Sequence, residues 1–149
     1  MRTERATLQH LEPVSRLFDA YRRFYGQAAD PDAARRFIEQ RLHNGDAHII
    51  CALSGEDVAG FVQLFPTLDS IGLAPAWILH DLFVDPAWRR RGVARLLMQA
   101  SRELGVQSGA SLMTLCTGVD NLGAQALYES EGWERDDAFQ YYELHLDPR

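Results

Sequence analysis

An arginine-rich turn near residue 90 has the residue types and spacing best suited to chemistry. An apolar run ends at Asp85-Pro86, and three consecutive arginines then lead through Gly92 into a helical stretch. The first N–H groups of a helix lack intrahelical partners and carry partial positive charge, so they attract anions. Gly92 and the small Ala94 permit close approach of a ligand. The turn predicts a site for pyrophosphate or a similar polyanion, or else a solvated basic turn before an amphipathic helix.

A second segment downstream combines an amide, a small residue and a phenol at helical spacing. Asn121, Ala124 and Tyr128 are three and four residues apart, so a helix places them on one face. Such a face can line a groove that holds a ligand. The alternative for Tyr128 is a core aromatic residue whose hydroxyl reaches the edge of the protein.

The elements that must position these residues alternate along the chain as β-α-α-β-β-β-α-β-α-β. Apolar periodicity, glycine stops and capping residues predict a mixed α/β sheet with helices packed on it. Helices are expected from Val14 to Gly26, from Pro31 to Asn44-Gly45, from Arg91 or Gly92 to Gly105, and from Asp120 or Asn121 to Gly132. The expected strands are Arg2–Thr7, His48–Leu53, Val58–Phe65, Trp77–Val84, Ser111–Thr117 and Phe139–Leu146.

Composition narrows the classes of function. The 149 residues suit one domain, 1–149, and the net charge of -6 argues against a nucleic-acid partner. All 15 basic residues are arginine, so the chain has neither a P-loop lysine nor a Schiff-base lysine. No CxxC, HExxH or GxGxxG pattern occurs and the histidines are scattered, so we expect no metal and no dinucleotide fold.

Cellular setting is predicted from apolar runs and cysteines. No signal peptide is recognisable, and no apolar run approaches the roughly 18 residues of a membrane span, so we expect a cytoplasmic protein without a membrane partner. Cys51 and Cys116 lie in apolar runs, where buried free thiols are expected.

Together, the two motifs resemble those of the GNAT superfamily of N-acetyltransferases. Arg89-x-x-Gly92-x-Ala94 resembles its acetyl-coenzyme A signature, Q/R-x-x-G-x-G/A, and the segment from Asn121 to Trp133 resembles its N-x-x-A-x-x-L/F-Y-x-x-x-G-F/W pattern. The resemblance implies the GNAT fold, in which the central parallel strands, here Trp77–Val84 and Ser111–Thr117, splay apart.

Acetyl-CoA is the co-substrate that the resemblance implies. Backbone amides from Arg90 to Arg95 would hold its pyrophosphate, and the strand before the turn would bind the pantetheine arm like an added strand. The implied cofactor-binding residues are Leu82, Phe83, Val84, Arg89, Arg90, Arg91, Gly92, Val93, Ala94, Arg95, Asn121, Ala124 and Tyr128.

Acetylation of an amine by direct attack in a ternary complex sets three chemical tasks. The resemblance assigns protonation of the departing thiolate to Tyr128, because a phenol with a reference pKa near 10 can protonate a thiolate whose thiol has a pKa near 8.5. A backbone N–H around Leu82 and Phe83 would stabilise the oxyanion. The identity of the base is left open. His80 could accept the proton, directly or through water, or Asp81 could bind the ammonium before it is deprotonated.

Strand alternation places His80 and Asp81 on opposite faces, so we expect only one of them to point at the acceptor. Either residue can alternatively be a satisfied polar group beside the sheet. Tyr21 and Tyr25, one helical turn apart, are candidates for the wall of the acceptor site, although the same spacing fits core packing.

The acceptor is predicted only by class. The segments Ala20–Gly26 and His80–Val84 resemble the small subgroup of yeast histone and polyamine acetyltransferase-like proteins and diamine acetyltransferases. In the diamine enzymes an acidic residue occupies the position of His80. We expect a small primary amine. The resemblance suggests a homodimer, whose interface the aromatic C-terminal strand would suit. The alternatives are acetylation of protein lysines, a CoA-binding regulatory module without catalysis, or a nucleotide-binding domain that uses the arginine turn.

Overall fold

The computed structural model describes residues 1–147. Two compact units divide the chain, Met1–Cys116 and Thr117 onward, so the single-domain prediction stays a prediction. The first unit comprises β1 Arg2–Arg5, α1 Leu11–Phe24, α2 Pro31–Asn44, β2 His48–Ser54, β3 Asp57–Asp69, β4 Ala74–Val84, α3 Val93–Gln107 and β5 Leu112–Leu115, with short 3-10 turns at Leu8–His10 and Pro86–Trp88. The second contains α4 Leu122–Ser130.

One mixed sheet organises the first unit, with the strands in the order β1-β2-β3-β4-β5. The first four strands pair antiparallel, and β5 pairs parallel to β4 after the crossover through α3. Parallel neighbours need such a crossover because a tight turn can only join antiparallel strands. The mixed α/β class and the predicted order of elements are therefore observed through α4.

Helices α1 and α2 cover one face of the sheet and form the main core with it. Both ends of α2 follow local rules: Asp30 Oδ1 accepts from Ala33 N–H at 3.2 Å, Pro31 opens the helix, and Gly45 ends it with φ +64°. The core cluster contains Val14, Leu17 and Phe18 of α1, Ala34 and Ile38 of α2, and Ile49, Cys51, Leu53, Phe61 and Phe83 of the sheet.

Helix α3 packs on the opposite face, close to Gly60 of β3. A Cβ atom at Gly60 would lie 2.9 Å from the Phe83 carbonyl oxygen and 3.2 Å from Val93 Cγ1. Because Phe61 faces α1, its neighbour Gly60 faces the other way. The absence of a side chain there lets the first turn of α3 approach the end of β4.

The last predicted strand, Phe139–Leu146, is wrong: residues 139–147 have no regular secondary structure. The apolar and aromatic side chains of this segment are 78–84% exposed. A strand exists only through hydrogen bonds to a neighbouring strand, and the sheet found among residues 1–147 has five strands and does not include this segment. Strand-like composition alone therefore did not produce a strand.

The two cysteines have different environments, so the prediction of two buried thiols is half wrong. Cys51 is buried in β2, and burial raises the pKa of its thiol to about 12. Cys116 is exposed, because β5 ends at Leu115 and the chain leaves the sheet. Within residues 1–147, no helix is both long enough and apolar enough to span a bilayer.

Candidate active site

A β-bulge places His80 and Asp81 together near the C-terminal end of β4. Gln63 of β3 pairs with Asp81, but the next residue, Leu64, pairs with Leu79, so His80 is the extra residue. A bulge re-aims side chains that strict alternation would separate. The prediction that His80 and Asp81 point to opposite faces is therefore wrong, because His80 Nδ1 lies 3.2 Å from Asp81 Oδ1.

The two residues differ in burial, which separates their chemical roles. The His80 side chain is 62% exposed, whereas the carboxylate of Asp81 is buried. The hydrogen bond to Asp81 raises the pKa of His80, and the negative charge of Asp81 adds to that rise while partial burial opposes it. An exposed imidazole held by a buried carboxylate can exchange a proton with a bound molecule.

Sequence reasoning missed Gln63, which completes this cluster. Its Nε2 donates to Asp81 Oδ2 at 2.7 Å, and its side chain is 1% exposed. The available signal was an amide inside the otherwise apolar run from Val58 to Phe65. Its significance depends on the pairing of β3 with β4, which no local pattern reveals.

Aromatic side chains surround His80. The Phe65 ring meets the imidazole edge-to-face, with centroids 5.5 Å apart. From α1, the Tyr21 hydroxyl donates to the backbone oxygen of His80 at 3.3 Å, while its ring packs on the core residue Phe83 at 6.2 Å. The Tyr25 ring meets the Tyr21 ring edge-to-face, with centroids 5.0 Å apart, and Tyr25 is half exposed. Tyr21 thus combines core packing with a contact to the candidate site.

The pairing of β4 with β5 ends before this cluster. The register runs from Ala76 opposite Leu112 to Leu79 opposite Leu115, whereas β4 itself continues to Val84. In the part of the chain described, the edge of β4 that faces β5 therefore has no β5 partner beyond Leu79. This edge carries the backbone groups of Leu82, Phe83 and Val84, the segment predicted to meet an extended ligand.

The arginine turn adopts a conformation that leaves the start of α3 uncapped. Asp85 Oδ1 accepts from Ala87 N–H at 2.9 Å and fixes the short 3-10 turn. Arg90 and Gly92 then have φ of +62° and +78°, a region that L-residues rarely occupy. Gly92 is the residue at the N-cap of α3 and makes no side-chain capping bond. Gly92 therefore offers no side-chain cap to the first turn of α3, which begins at Val93.

Two of the three turn arginines are held by aromatic rings. The Arg89 guanidinium lies 5.3 Å from the Phe83 ring centroid, and its Nε donates to the Val84 carbonyl oxygen at 3.2 Å. The Arg91 guanidinium lies 5.1 Å from the centroid of the Trp88 ring. These contacts orient positive charge along the turn that leads into α3.

In the second unit, α4 begins at Leu122, and its N-cap is Asn121, one of the two residues predicted for that position. The Oδ1 atom of Asn121 accepts from Ala124 N–H at 3.2 Å, so the amide caps the helix. Tyr128 lies on the same helix, 6.5 Å from the Trp133 ring, and its carbonyl oxygen accepts from Trp133 N–H at 3.0 Å. Among residues 1–147, no cluster of His, Cys, Asp and Glu suitable for a metal ion is found.

Comparisons with known proteins cover the whole length of the chain. A sequence profile of the acetyltransferase (GNAT) family matches residues 14–133. The uncharacterized N-acetyltransferase YhfO of Bacillus subtilis (strain 168) is 36% identical over 146 residues, 98% of either chain. A crystal structure of a probable acetyltransferase is similar with a TM-score of 0.93, at 38% identity and over 100% of both chains.

A relative with a named substrate class is more distant. The aminoglycoside N(6')-acetyltransferase type 1 of Salmonella typhimurium is 28% identical over 118 residues, which cover 67% of this chain and 81% of that protein.

Proposed function

The chain belongs to the GNAT acetyltransferase family and is an N-acetyltransferase, and on this premise we propose that it acetylates a small primary amine from acetyl-CoA in a ternary complex. The observation that carries the proposal is the contact between exposed His80 and buried Asp81 at the β4 bulge. It lies just beyond the point where β4 and β5 stop pairing.

The uncapped start of α3 supports acetyl-CoA as the acetyl donor. Gly92 contributes no side chain at the N-cap, and a Cβ placed there would meet no atom within 4 Å. The amides from Arg90 to Arg95 would hold the pyrophosphate, with Arg89 and Arg91 adding charge. Leu82–Val84 would bind the pantetheine arm, and the family resemblance also assigns Asn121, Ala124 and Tyr128 to cofactor binding. Acetyl-CoA supplies the activated acetyl group and is consistent with the cytoplasmic location that we predict.

His80 is the proposed base. An amine is largely protonated at neutral pH and must lose that proton before it can attack a carbonyl carbon. If Nδ1–H donates to Asp81, the lone pair of the neutral imidazole is on Nε2, the atom that would take the proton. The burial of Asp81 favours a positioning role over direct binding of the ammonium.

Two further groups would complete the reaction. A backbone N–H near Leu82 or Phe83 would stabilise negative charge on the acetyl oxygen, and the phenol of Tyr128 would return a proton to the thiolate of the leaving group. Tyr21 and Tyr25 would form the wall against which the amine binds.

A cationic small molecule is the proposed acceptor. The named activity of the Salmonella relative supports an aminoglycoside, and a polyamine or an amino acid remains a further candidate. The net charge of -6 favours approach of a cation, and the aromatic rings beside His80 offer faces to an ammonium group.

An acceptor screen tests this function. Purified protein is incubated with acetyl-CoA and spermidine, single amino acids, an aminoglycoside or a lysine-containing peptide, and thiol release is followed over many turnovers. The exposed Cys116 adds at most one thiol per chain, so a Cys116→Ser control removes that background. We expect turnover with a free amine, and we expect His80→Gln to abolish it. CoA binding without turnover would support the regulatory alternative, and turnover with peptides alone would support lysine acetylation.

The C-terminal segment supports a homodimer as the assembled form. Tyr142, Leu144 and Leu146 alternate with Glu143 and His145 and are 78–84% exposed. β5 lies at the edge of the sheet. We propose that this segment in one copy adds a strand at β5 of a second copy, since an exposed edge and an alternating apolar segment complement each other.

Light scattering tests the dimer. The wild-type protein should have the mass of two chains, and Leu144→Asp should shift it to one chain, whereas Glu143→Gln on the other side of the segment should not. A monomeric wild-type protein at all concentrations would disprove the assembly and leave the enzymatic proposal intact.

A further inference from the structure

Three side chains from two strands form a continuous hydrogen-bonded row that ends at the proposed base. Gln63 Nε2 donates to Asp81 Oδ2 at 2.7 Å, and Asp81 Oδ1 lies 3.2 Å from His80 Nδ1. The two oxygens of the Asp81 carboxylate therefore have different partners: Oδ2 accepts from Gln63, and Oδ1 contacts His80. The row runs from the buried interior of β3 to the exposed imidazole.

The orientation of the Gln63 amide follows from the chemistry of its partner. An ionised carboxylate only accepts hydrogen bonds, so the NH2 group must face Asp81 and Oε1 must face away. No donor among residues 1–147 reaches Oε1, which is fully buried. On the face of β3 that carries Gln63, the adjacent side chains of the strand are those of Phe61 and Phe65, both apolar. A buried amide left half satisfied among apolar side chains is costly, which indicates a role other than packing.

We propose that Gln63 is a positioning residue for the acetyl transfer, acting on His80 through Asp81. Its bond to Oδ2 holds the carboxylate in the rotamer that presents Oδ1 to the imidazole. Asp81 in turn keeps the Nδ1–H tautomer, which leaves Nε2 as the proton acceptor. The consequence for turnover rests on the proposed function of His80, whereas the effect on the imidazole does not.

The surroundings of His80 support this assignment. The groups that contact it within the described chain are Asp81 on its own strand, the Tyr21 hydroxyl from α1 at its backbone oxygen, and the uncharged Phe65 ring from β3. Asp81 is therefore the ionised group able to orient this imidazole, and Gln63 is the side chain that holds Asp81 from the far side.

Nitrogen NMR of the imidazole provides a test that does not require activity. The His80 signals are assigned by their loss in His80→Gln, and the tautomer and pKa are measured in Gln63→Met, which keeps the length and removes the donor. We expect the pKa of His80 to fall and the Nδ1–H tautomer to lose population. Leu64→Met, a matched change at the next buried position of β3, should alter neither. Unchanged His80 signals in folded Gln63→Met would overturn the proposal.

Kinetics separate positioning from a purely structural role. Gln63→Met should lower kcat roughly 10- to 100-fold with little change in KM for the amine. In an Asp81→Asn background, the same change should have little further effect, because the residue through which Gln63 acts is already altered. Equal losses in both backgrounds would overturn the proposal. If Gln63→Met fails to fold, Gln63→Asn, which shortens the side chain by one methylene, carries the same measurements.

The two possible failures are distinguishable. If His80→Gln retains full activity while Gln63→Met still shifts the imidazole, the proposed base is wrong and the positioning contact stands. If His80→Gln loses activity and Gln63→Met leaves the imidazole unchanged, the base stands and the role of Gln63 is wrong.

Discussion

The carboxylate of Asp81 holds the imidazole of His80, its immediate neighbour in sequence, with 3.2 Å between Oδ1 and Nδ1. Consecutive residues of a regular strand cannot make this contact, because their side chains point to opposite faces. The bulge at His80 removes that restriction. One irregular position in β4 thereby brings a buried carboxylate into contact with an exposed imidazole.

The first prediction concerns the pH dependence of turnover. Only the neutral imidazole accepts a proton, and contact with Asp81 raises the pKa of His80. With saturating acetyl-CoA, kcat should therefore fall on the acidic side of a pH above the ordinary His value of about 6.5. Asp81→Asn removes the negative charge and should move this limb to lower pH. Asp57→Asn, at the exposed start of β3, is the control, and an unmoved limb in folded Asp81→Asn would contradict the assignment.

The second prediction concerns cofactor binding at the start of α3. Gly92→Glu should abolish CoA binding measured by calorimetry, because a carboxylate at the N-cap occupies and repels the phosphate site. Gly92 has φ +78°, so any substitution also introduces strain. Gly109→Glu is the matched control, since Gly109 has φ +72° after the other end of α3 and similar open space. Equal CoA affinity in folded Gly92→Glu and wild type would exclude this site.

The third prediction concerns the proposed general acid. Tyr128→Phe removes one hydroxyl and should lower kcat by about 10²–10⁴-fold, the usual contribution of general-acid catalysis, with little change in acetyl-CoA affinity. Tyr141→Phe, at an exposed position, should leave both unchanged. The measurement requires a solvent isotope effect or pre-steady-state burst to establish that chemistry limits the rate. An unchanged chemical step would leave Tyr128 without a catalytic role.

The fourth prediction concerns the approach of α3 to the sheet. Gly60→Ala places a Cβ 2.9 Å from the Phe83 carbonyl oxygen and should lower the free energy of unfolding by about 1–3 kcal/mol through overpacking. Gly123→Ala, in α4 with open space around it, should instead raise it by about 0.5–1 kcal/mol. Denaturant unfolding measures both changes in the free energy of unfolding. Equal stability of Gly60→Ala and wild type would contradict the prediction, because it would show that the sheet and α3 accommodate the added methyl group without cost.

Local sequence determined most of the elements and the family. Helix α2 follows from Asp30, Pro31 and Gly45, and α4 follows from the cap at Asn121, because capping and helical periodicity involve residues within four positions of each other. The motifs around Gly92 and Tyr128 are equally local. The similarity to known acetyltransferases over the whole chain confirms the GNAT family and fold that they indicated.

Tertiary structure decided what depends on pairing between distant segments. His80 and Asp81 share a site because β3 and β4 slip by one residue between Gln63 and Leu64, a register that neither strand specifies alone. The hydrogen bond from Gln63 reaches Asp81, a partner 18 positions away in the sequence. The segment 139–146 has strand-like alternation and formed no strand, since alternation within a segment does not supply the pairing partner that a strand needs. Periodicity indicates which faces a segment can bury, and only the folded sheet determines what each face meets.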